Sequence, residues 1–124
     1  MHNTIRALSA STLIGDDVIN ATGEDLGSVE EIMLDVNDGR IAYVVLSFGG
    51  FLGLGDKYFA VPWDAFKLDT DEHALVLNVD EETLENAPGF DKDNWPQTLN
   101  GDDAWLVDVY QYYGYPVYWR EGIH

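Results

Sequence analysis

RIAYVVLSFGGFLGLGDKYFAVPW, residues 40 to 63, is the densest apolar run in this chain of 124 residues. It predicts a β-hairpin, because residues 41–48 are mostly β-branched or aromatic and glycines bound them on both sides. The returning strand covers residues 58–61 and stops at Pro62. Side chains alternate between the faces of a strand. One face is predicted to carry Ile41, Tyr43 and Val45, and the other Ala42, Val44, Leu46 and Phe48. Since both faces are apolar, each must be covered by a C-terminal segment, by a partner subunit, or by both.

The composition indicates one acidic globular domain. Hydrophobic residues make up 46% of the chain, and 23 acidic residues face only 6 basic ones, for a formal charge of −17. Such a surface repels phosphate groups, so we expect no nucleic-acid binding and little attraction to anionic lipids. The acidity favours solubility or adaptation to salt; the alternative is a docking face for a basic partner or for divalent cations.

Targeting signals are not evident in the sequence. The N-terminus has no apolar core of signal-peptide length, and no later run approaches the roughly 20 apolar residues that span a bilayer. The chain also contains no cysteine, which removes disulfides and thiolate chemistry. We therefore expect a cytoplasmic protein without membrane insertion.

Short strands joined by tight turns precede the helical signals. After a lead-in over residues 1–15, a strand at 16–20 and a turn at 22–25 lead to a strand at 26–36. The apolar alternation of that strand slips at Glu30-Glu31, which predicts a β-bulge there. Asn37-Asp38-Gly39 predicts the tight turn into the central hairpin. Residues 16–80 thus predict a mainly β fold, a small antiparallel barrel or sandwich.

The C-terminal third, residues 81–124, is predicted to be helical and aromatic. Asp80 is placed to cap a short helix over residues 81–87. Residues 90–99 read as a strap lying over the barrel. Asp102 or Asp103 caps a second helix over residues 104–113, and Gly114 ends it. We expect the aromatic end at 115–119 to dock on the hairpin of the same chain or of a second copy.

Candidate chemistry is weak in this sequence. The glycine-rich loop at 49–57 lacks the lysine and hydroxyl of a phosphate-binding loop, because Asp56 and Tyr58 stand at those positions. Its apolar tip is instead a plausible contact surface. Three carboxylate-rich turns, at 35–39, 69–73 and 91–94, are better explained as turns than as calcium loops. We predict no catalytic residue, no cofactor and no metal site.

Motifs along most of the chain resemble the PRC-barrel domain family in its small stand-alone bacterial branch. They are Gly23-Glu24-Asp25-Leu26-Gly27, Asp38-Gly39-Arg40-Ile41-Ala42-Tyr43, residues 46–53, Phe59-Ala60-Val61-Pro62-Trp63, residues 87–96, Tyr112-Tyr113-Gly114 and Tyr118-Trp119. Relatives include the cytoplasmic domain of the photosynthetic reaction-centre H subunit and the C-terminal domain of a ribosome-maturation factor. The resemblance implies a small β-barrel that works as an adaptor on another protein, and it implies no catalytic residue.

The predicted function is therefore a non-enzymatic interaction protein, expected to form a homodimer and to bind a further protein that the sequence does not identify. The predicted interaction residues are Tyr43, Phe48, Phe51, Leu52, Leu54, Trp63, Trp95, Tyr112, Tyr113, Tyr118 and Trp119. Two alternatives stay open: a ligand-binding or hydrolytic barrel that uses carboxylates and tyrosines, and an acidic protein that binds divalent cations.

Overall fold

A single hydrogen-bonded sheet forms the frame of the chain in the computed structural model, which describes residues 5–49, 57–69, 74–91, 93–96 and 103–120. Its strands are β1 (Asp17–Ile19), β2 (Asp25–Asp35), β3 (Arg40–Phe48), β4 (Lys57–Val61), β5 (Phe66–Asp69), β6 (Ala74–Leu77) and β7 (Gly89–Phe90). The α-helices are α1 (Ala10–Leu13), α2 (Glu81–Glu85) and α3 (Ala104–Tyr113), and 3-10 turns cover Trp63–Ala65 and Tyr118–Arg120.

The strand order is β5-β6-β1-β2-β3-β4-β7, which confirms a mainly β fold. Most neighbouring strands are antiparallel, as predicted. The exception is β1 and β6, which run parallel, with Val18 opposite Leu75. Among the described residues the hydrogen-bonded ladder does not close into a full ring, since β5 and β7 lie at its two edges.

Two bulges interrupt the pairing of β2 with β3. Val29 pairs with Leu46 and Glu31 with Val45, so Glu30 is the extra residue, as predicted from the phase slip. The second bulge was not predicted. It leaves Ala42 without a residue opposite it on β2, because Met33 pairs with Tyr43 and Leu34 with Ile41.

The second bulge changes which way two side chains of β3 face. An extra residue shifts the alternation by one position. Ile41 consequently packs with Val44 and Leu46, and Ala42 lies with Tyr43 and Val45. The facing predicted for Ile41 and Ala42 was therefore wrong, while the facing predicted for residues 43–48 agrees with the two cores.

Each face of the sheet is covered by its own hydrophobic core. The first core joins β1, β2, β3, β4 and β6 with α2, and its largest fully buried side chains include Leu26, Leu46, Phe59, Leu75, Leu77 and Leu84. The second core joins Ala42, Tyr43, Val45 and Ala60 of the sheet to Leu106, Val109 and Tyr110 of α3. The C-terminal segment of the same chain thus covers the second face.

The helices agree with the sequence in type and differ in detail. Asp80 caps α2 by accepting a hydrogen bond from the backbone N–H of Thr83 at 2.8 Å. The lead-in contains the short helix α1, which was not predicted. Gly89–Phe90 forms β7 and pairs with β4, although the strap was predicted to begin at residue 90 without a strand. No helix of the described residues is long and apolar enough to cross a membrane.

Candidate interaction site

A buried hydroxyl group fastens α3 to the sheet. The Tyr110 hydroxyl donates a hydrogen bond to the carbonyl oxygen of Ala42 at 2.6 Å, and Tyr110 is only 3% exposed. Ala42 is the bulge residue and has no ladder partner on β2 or on β4. Tyr110 therefore supplies a polar partner to a backbone group that the bulge removes from regular pairing.

The aromatic end of the chain braces the turn between β2 and β3. The Tyr118 hydroxyl donates to Asp35 Oδ2 at 2.8 Å. The guanidinium of Arg40 lies 3.7 Å from the centre of the Tyr118 ring, a cation–π distance. Arg40 also approaches the Asp64 carboxylate at 3.8 Å. These contacts connect the hairpin, the 3-10 turn after β4, and the C-terminal segment.

Asp35 holds together the carboxylate-rich turn at residues 35–39. Its Oδ1 accepts the backbone N–H groups of Asn37 and Asp38 at 3.1 and 3.2 Å, while Oδ2 accepts from Tyr118. This carboxylate therefore organises the turn, as the sequence indicated. No group of three or more histidine, aspartate or glutamate side chains in the described ranges could hold a metal ion.

Aromatic contacts extend the cover of the second face. Trp119 donates its ring N–H to Asp103 Oδ2 at 2.5 Å and meets the Tyr110 ring edge-on at 5.0 Å. Asp103 is the N-cap residue of α3, one of the two predicted positions, but its side chain makes no capping hydrogen bond to the helix. Trp95 meets Tyr58 at 5.5 Å between ring centroids, in the region where the sequence predicted a strap.

The predicted interaction residues differ widely in accessibility. Tyr43 and Phe48 are buried, at 3% and 8% exposure. Half-buried positions are held by Trp63, Trp95, Tyr113, Tyr118 and Trp119. Tyr112 is 39% exposed, and its hydroxyl donates to the Thr83 carbonyl oxygen at 2.5 Å. Phe51, Leu52 and Leu54 lie outside the described residues.

Two strongly exposed apolar residues were missed by the sequence reasoning. Leu34 is 65% exposed and Val36 is 84% exposed. Both belong to the apolar alternation from which the second strand was predicted, and neither was named as an interaction residue. The last β3–β4 pair is Val44 with Val61, whereas β2 and β3 stay paired as far as Asp35 with Arg40. The β2–β3 hairpin therefore extends beyond the end of β4. The shorter length of β4 relative to β3 is the signal in the sequence that could have identified these residues.

The tyrosines of this region are held in their neutral form. Burial raises the pKa of Tyr43 to about 12, and burial is also the main cause that raises the pKa of Tyr110 to about 12. Burial first, and then the hydrogen bond to Asp35, raises the pKa of Tyr118. These hydroxyls remain protonated at neutral pH, and those of Tyr110 and Tyr118 donate hydrogen bonds.

Comparison with known proteins agrees with the architecture. The family model described as PRC-barrel domain matches residues 6–84. Among solved structures, a Pseudomonas aeruginosa protein described as a 16S ribosomal RNA processing protein, RimM, is similar at 17% identity and a TM-score of 0.43. The match covers 63% of this chain and 47% of that one, so the chain spans about half the length of the Pseudomonas protein. No curated protein matches the sequence.

Proposed function

Since the chain belongs to the PRC-barrel domain family, we propose that it is a non-enzymatic interaction module that holds a protein partner on a preformed surface. The observation that carries the proposal is the exposure of Leu34 and Val36 on a hairpin that Tyr118 and Arg40 brace from behind. A surface that is already ordered binds without the entropy cost of ordering it.

The chemistry of the described tyrosines also supports a structural role. The raised pKa values of Tyr43 and Tyr110 place these two hydroxyls far from the range in which a general acid or base works at neutral pH. The hydroxyl of Tyr110 is committed to Ala42 and that of Tyr118 to Asp35. Direct contact with RNA forms no part of the proposal, because 23 acidic residues oppose 6 basic ones.

Native mass spectrometry tests the proposed function. The full-length chain, tagged and expressed at its natural level, is isolated under gentle conditions from its own cells. We expect a complex that contains this chain and a different polypeptide in a fixed ratio. A spectrum that contains only the free chain, at each concentration measured, would contradict the interaction role.

Further measurements address the other expectations. Light scattering across concentrations tests the homodimer. The need for a second copy to cover the hairpin is weaker, because α3 of the same chain covers Tyr43. Calorimetry with calcium tests the cation-binding alternative, and a screen of small molecules by thermal shift tests the ligand-binding one. Cell fractionation tests the cytoplasmic location that we include in the proposal.

A further inference from the structure

The end of the β2–β3 hairpin presents an apolar ridge, which we define as Leu34, Val36 and Ile41. Leu34 pairs with Ile41 across the strands, and Ile41 is half-buried against the first core. Leu34 and Val36 are 65% and 84% exposed. Apolar side chains that are exposed together, rather than singly, mark a contact surface.

The ridge is held in place from both sides. Behind it, Asp35 receives the hydroxyl of Tyr118 and closes the turn through the N–H groups of Asn37 and Asp38. Beside it, Arg40 contacts both the Tyr118 ring and Asp64. The backbone that carries the ridge is thus fixed by contacts that leave its apolar side chains available.

Carboxylates lie at the end of the hairpin that carries the ridge. Asp38 lies in the turn close to Val36 in the sequence, while Asp35 and Asp64 lie behind the ridge with Tyr118 and Arg40, where Asp64 remains 61% exposed. The nearby base, Arg40, is already shared between Asp64 and Tyr118. A second copy of the chain carries the same charge of −17, which disfavours it as the occupant of the ridge. Charge complementarity therefore favours a basic occupant.

From this combination we infer that the hairpin ridge binds a basic segment of another protein, in which apolar side chains alternate with lysine or arginine. The inference rests on the proposed interaction function and adds to it a surface and a partner chemistry. The apolar side chains of the segment cover Leu34 and Val36, while its cations lie among the carboxylates at this end of the hairpin. The binding is expected to weaken with salt, because exposed charges are screened.

Fluorescence anisotropy with short labelled peptides tests the inference on the full chain. The probe alternates lysine and leucine; one control peptide alternates glutamate and leucine, and another alternates lysine and serine. We expect the lysine–leucine peptide to bind best. The double variant Leu34→Ser, Val36→Ser is expected to bind it about tenfold more weakly or worse.

Ile14→Ser provides the matched control variant, because Ile14 is an exposed apolar residue at 39% on another part of the chain. It should bind the probe as the unaltered chain does. Urea unfolding of all variants checks that the substitutions leave the fold intact, as expected at exposed positions.

Several outcomes would overturn the inference. They are equal binding by the double variant and the Ile14→Ser control, equal binding of the lysine–serine or glutamate–leucine peptide, and no binding of any peptide. A dimer that the double substitution abolishes would identify a second copy as the occupant instead. If the native complex survives in the double variant, the interaction function stands but the ridge is not its binding surface. If the unaltered chain forms no complex, the proposed function itself is contradicted.

Discussion

The hydroxyl of Tyr110 connects two parts of the chain that are 68 residues apart. It donates a hydrogen bond to the carbonyl oxygen of Ala42, and the tyrosine is buried at 3% exposure. A buried carbonyl group that loses its hydrogen-bond donor destabilises the folded protein, because its free energy of desolvation is no longer offset by a hydrogen bond. This bond therefore contributes more to the attachment of α3 than an equivalent bond at the surface.

Tyr110→Phe is expected to lower the free energy of unfolding by about 1 to 3 kcal/mol, because it leaves the Ala42 carbonyl oxygen without this donor. Urea denaturation followed by tryptophan fluorescence measures the loss. Tyr112→Phe is the matched control: its hydroxyl bonds to Thr83 in an exposed position where water replaces it. Equal losses in the two variants would contradict the role given to burial.

Gly27→Ala is expected to destabilise the protein by more than about 3 kcal/mol, since a methyl group would meet backbone in addition to an unfavourable φ. Gly27 has φ +100°, and an added Cβ would lie 2.2 Å from the carbonyl oxygen of Ser47. Gly23→Ala separates the two effects, because Gly23 has φ +89° with no atom within 4 Å. It should lose only about 1 kcal/mol. Similar thermal midpoints for both variants would disprove the steric argument.

Among the elements, α3 decides whether the second face of the sheet is covered. Val109 is 1% exposed and belongs to the second core, which also contains Tyr43 and Val45. Gln111 lies on the opposite, exposed side of the helix. The helix and its end were predicted from helical spacing and from Gly114, whose φ is 82°. Its buried face was predicted only in part, since Leu106 and Tyr110 lie beside Val109 there and Tyr112 is exposed.

Val109→Asp is expected to cost at least about 3 kcal/mol and to expose the sheet to an apolar dye, because it buries an unpaired charge. Gln111→Asp adds the same charge on the exposed side and should change the stability by less than about 0.5 kcal/mol. Dye fluorescence and denaturation midpoints compare the two. Dye binding by both variants, or by neither, would show that α3 does not cover the face as described.

Local signals in the sequence identified most elements, and long-range contacts account for the differences. The phase slip at Glu30 and the turn at Asp38-Gly39 are encoded by neighbouring residues, so both were predicted. The bulge at Ala42 was not, because its side chain fits either face and Tyr110, its polar partner, lies far along the chain. The exposure of Leu34 depends on where β4 ends, which the pattern of β2 alone does not contain.

For the molecule as a whole, the buried tyrosines make the free energy of unfolding depend on pH in the alkaline range. The pKa of Tyr43 and of Tyr110 rises from 10.0 to about 12 in the folded protein. The folded state therefore keeps protons that the unfolded state releases. Stability from these groups is fully present below pH 10 and is lost as the pH rises toward 12.

Between pH 10 and about 12, the free energy of unfolding is expected to fall by on the order of 1 kcal/mol per pH unit for each of these tyrosines. Urea denaturation at several pH values measures the slope. Tyr43→Phe removes one of the titrating groups and should make the slope shallower, whereas the slope below pH 10 should be unchanged. A flat profile in both proteins would contradict the burial of these hydroxyls.

The order of the two cores along the chain has a consequence for synthesis. Strand β3 leaves the ribosome about 65 residues before the end of α3, which is roughly 3 to 13 s at ordinary elongation rates. During that interval Tyr43 and Val45 have no helix to cover them, although the first core needs only residues that emerge earlier than α3. A nascent chain halted before residue 103 should therefore recruit chaperones that recognise apolar strands, and release them once α3 is translated.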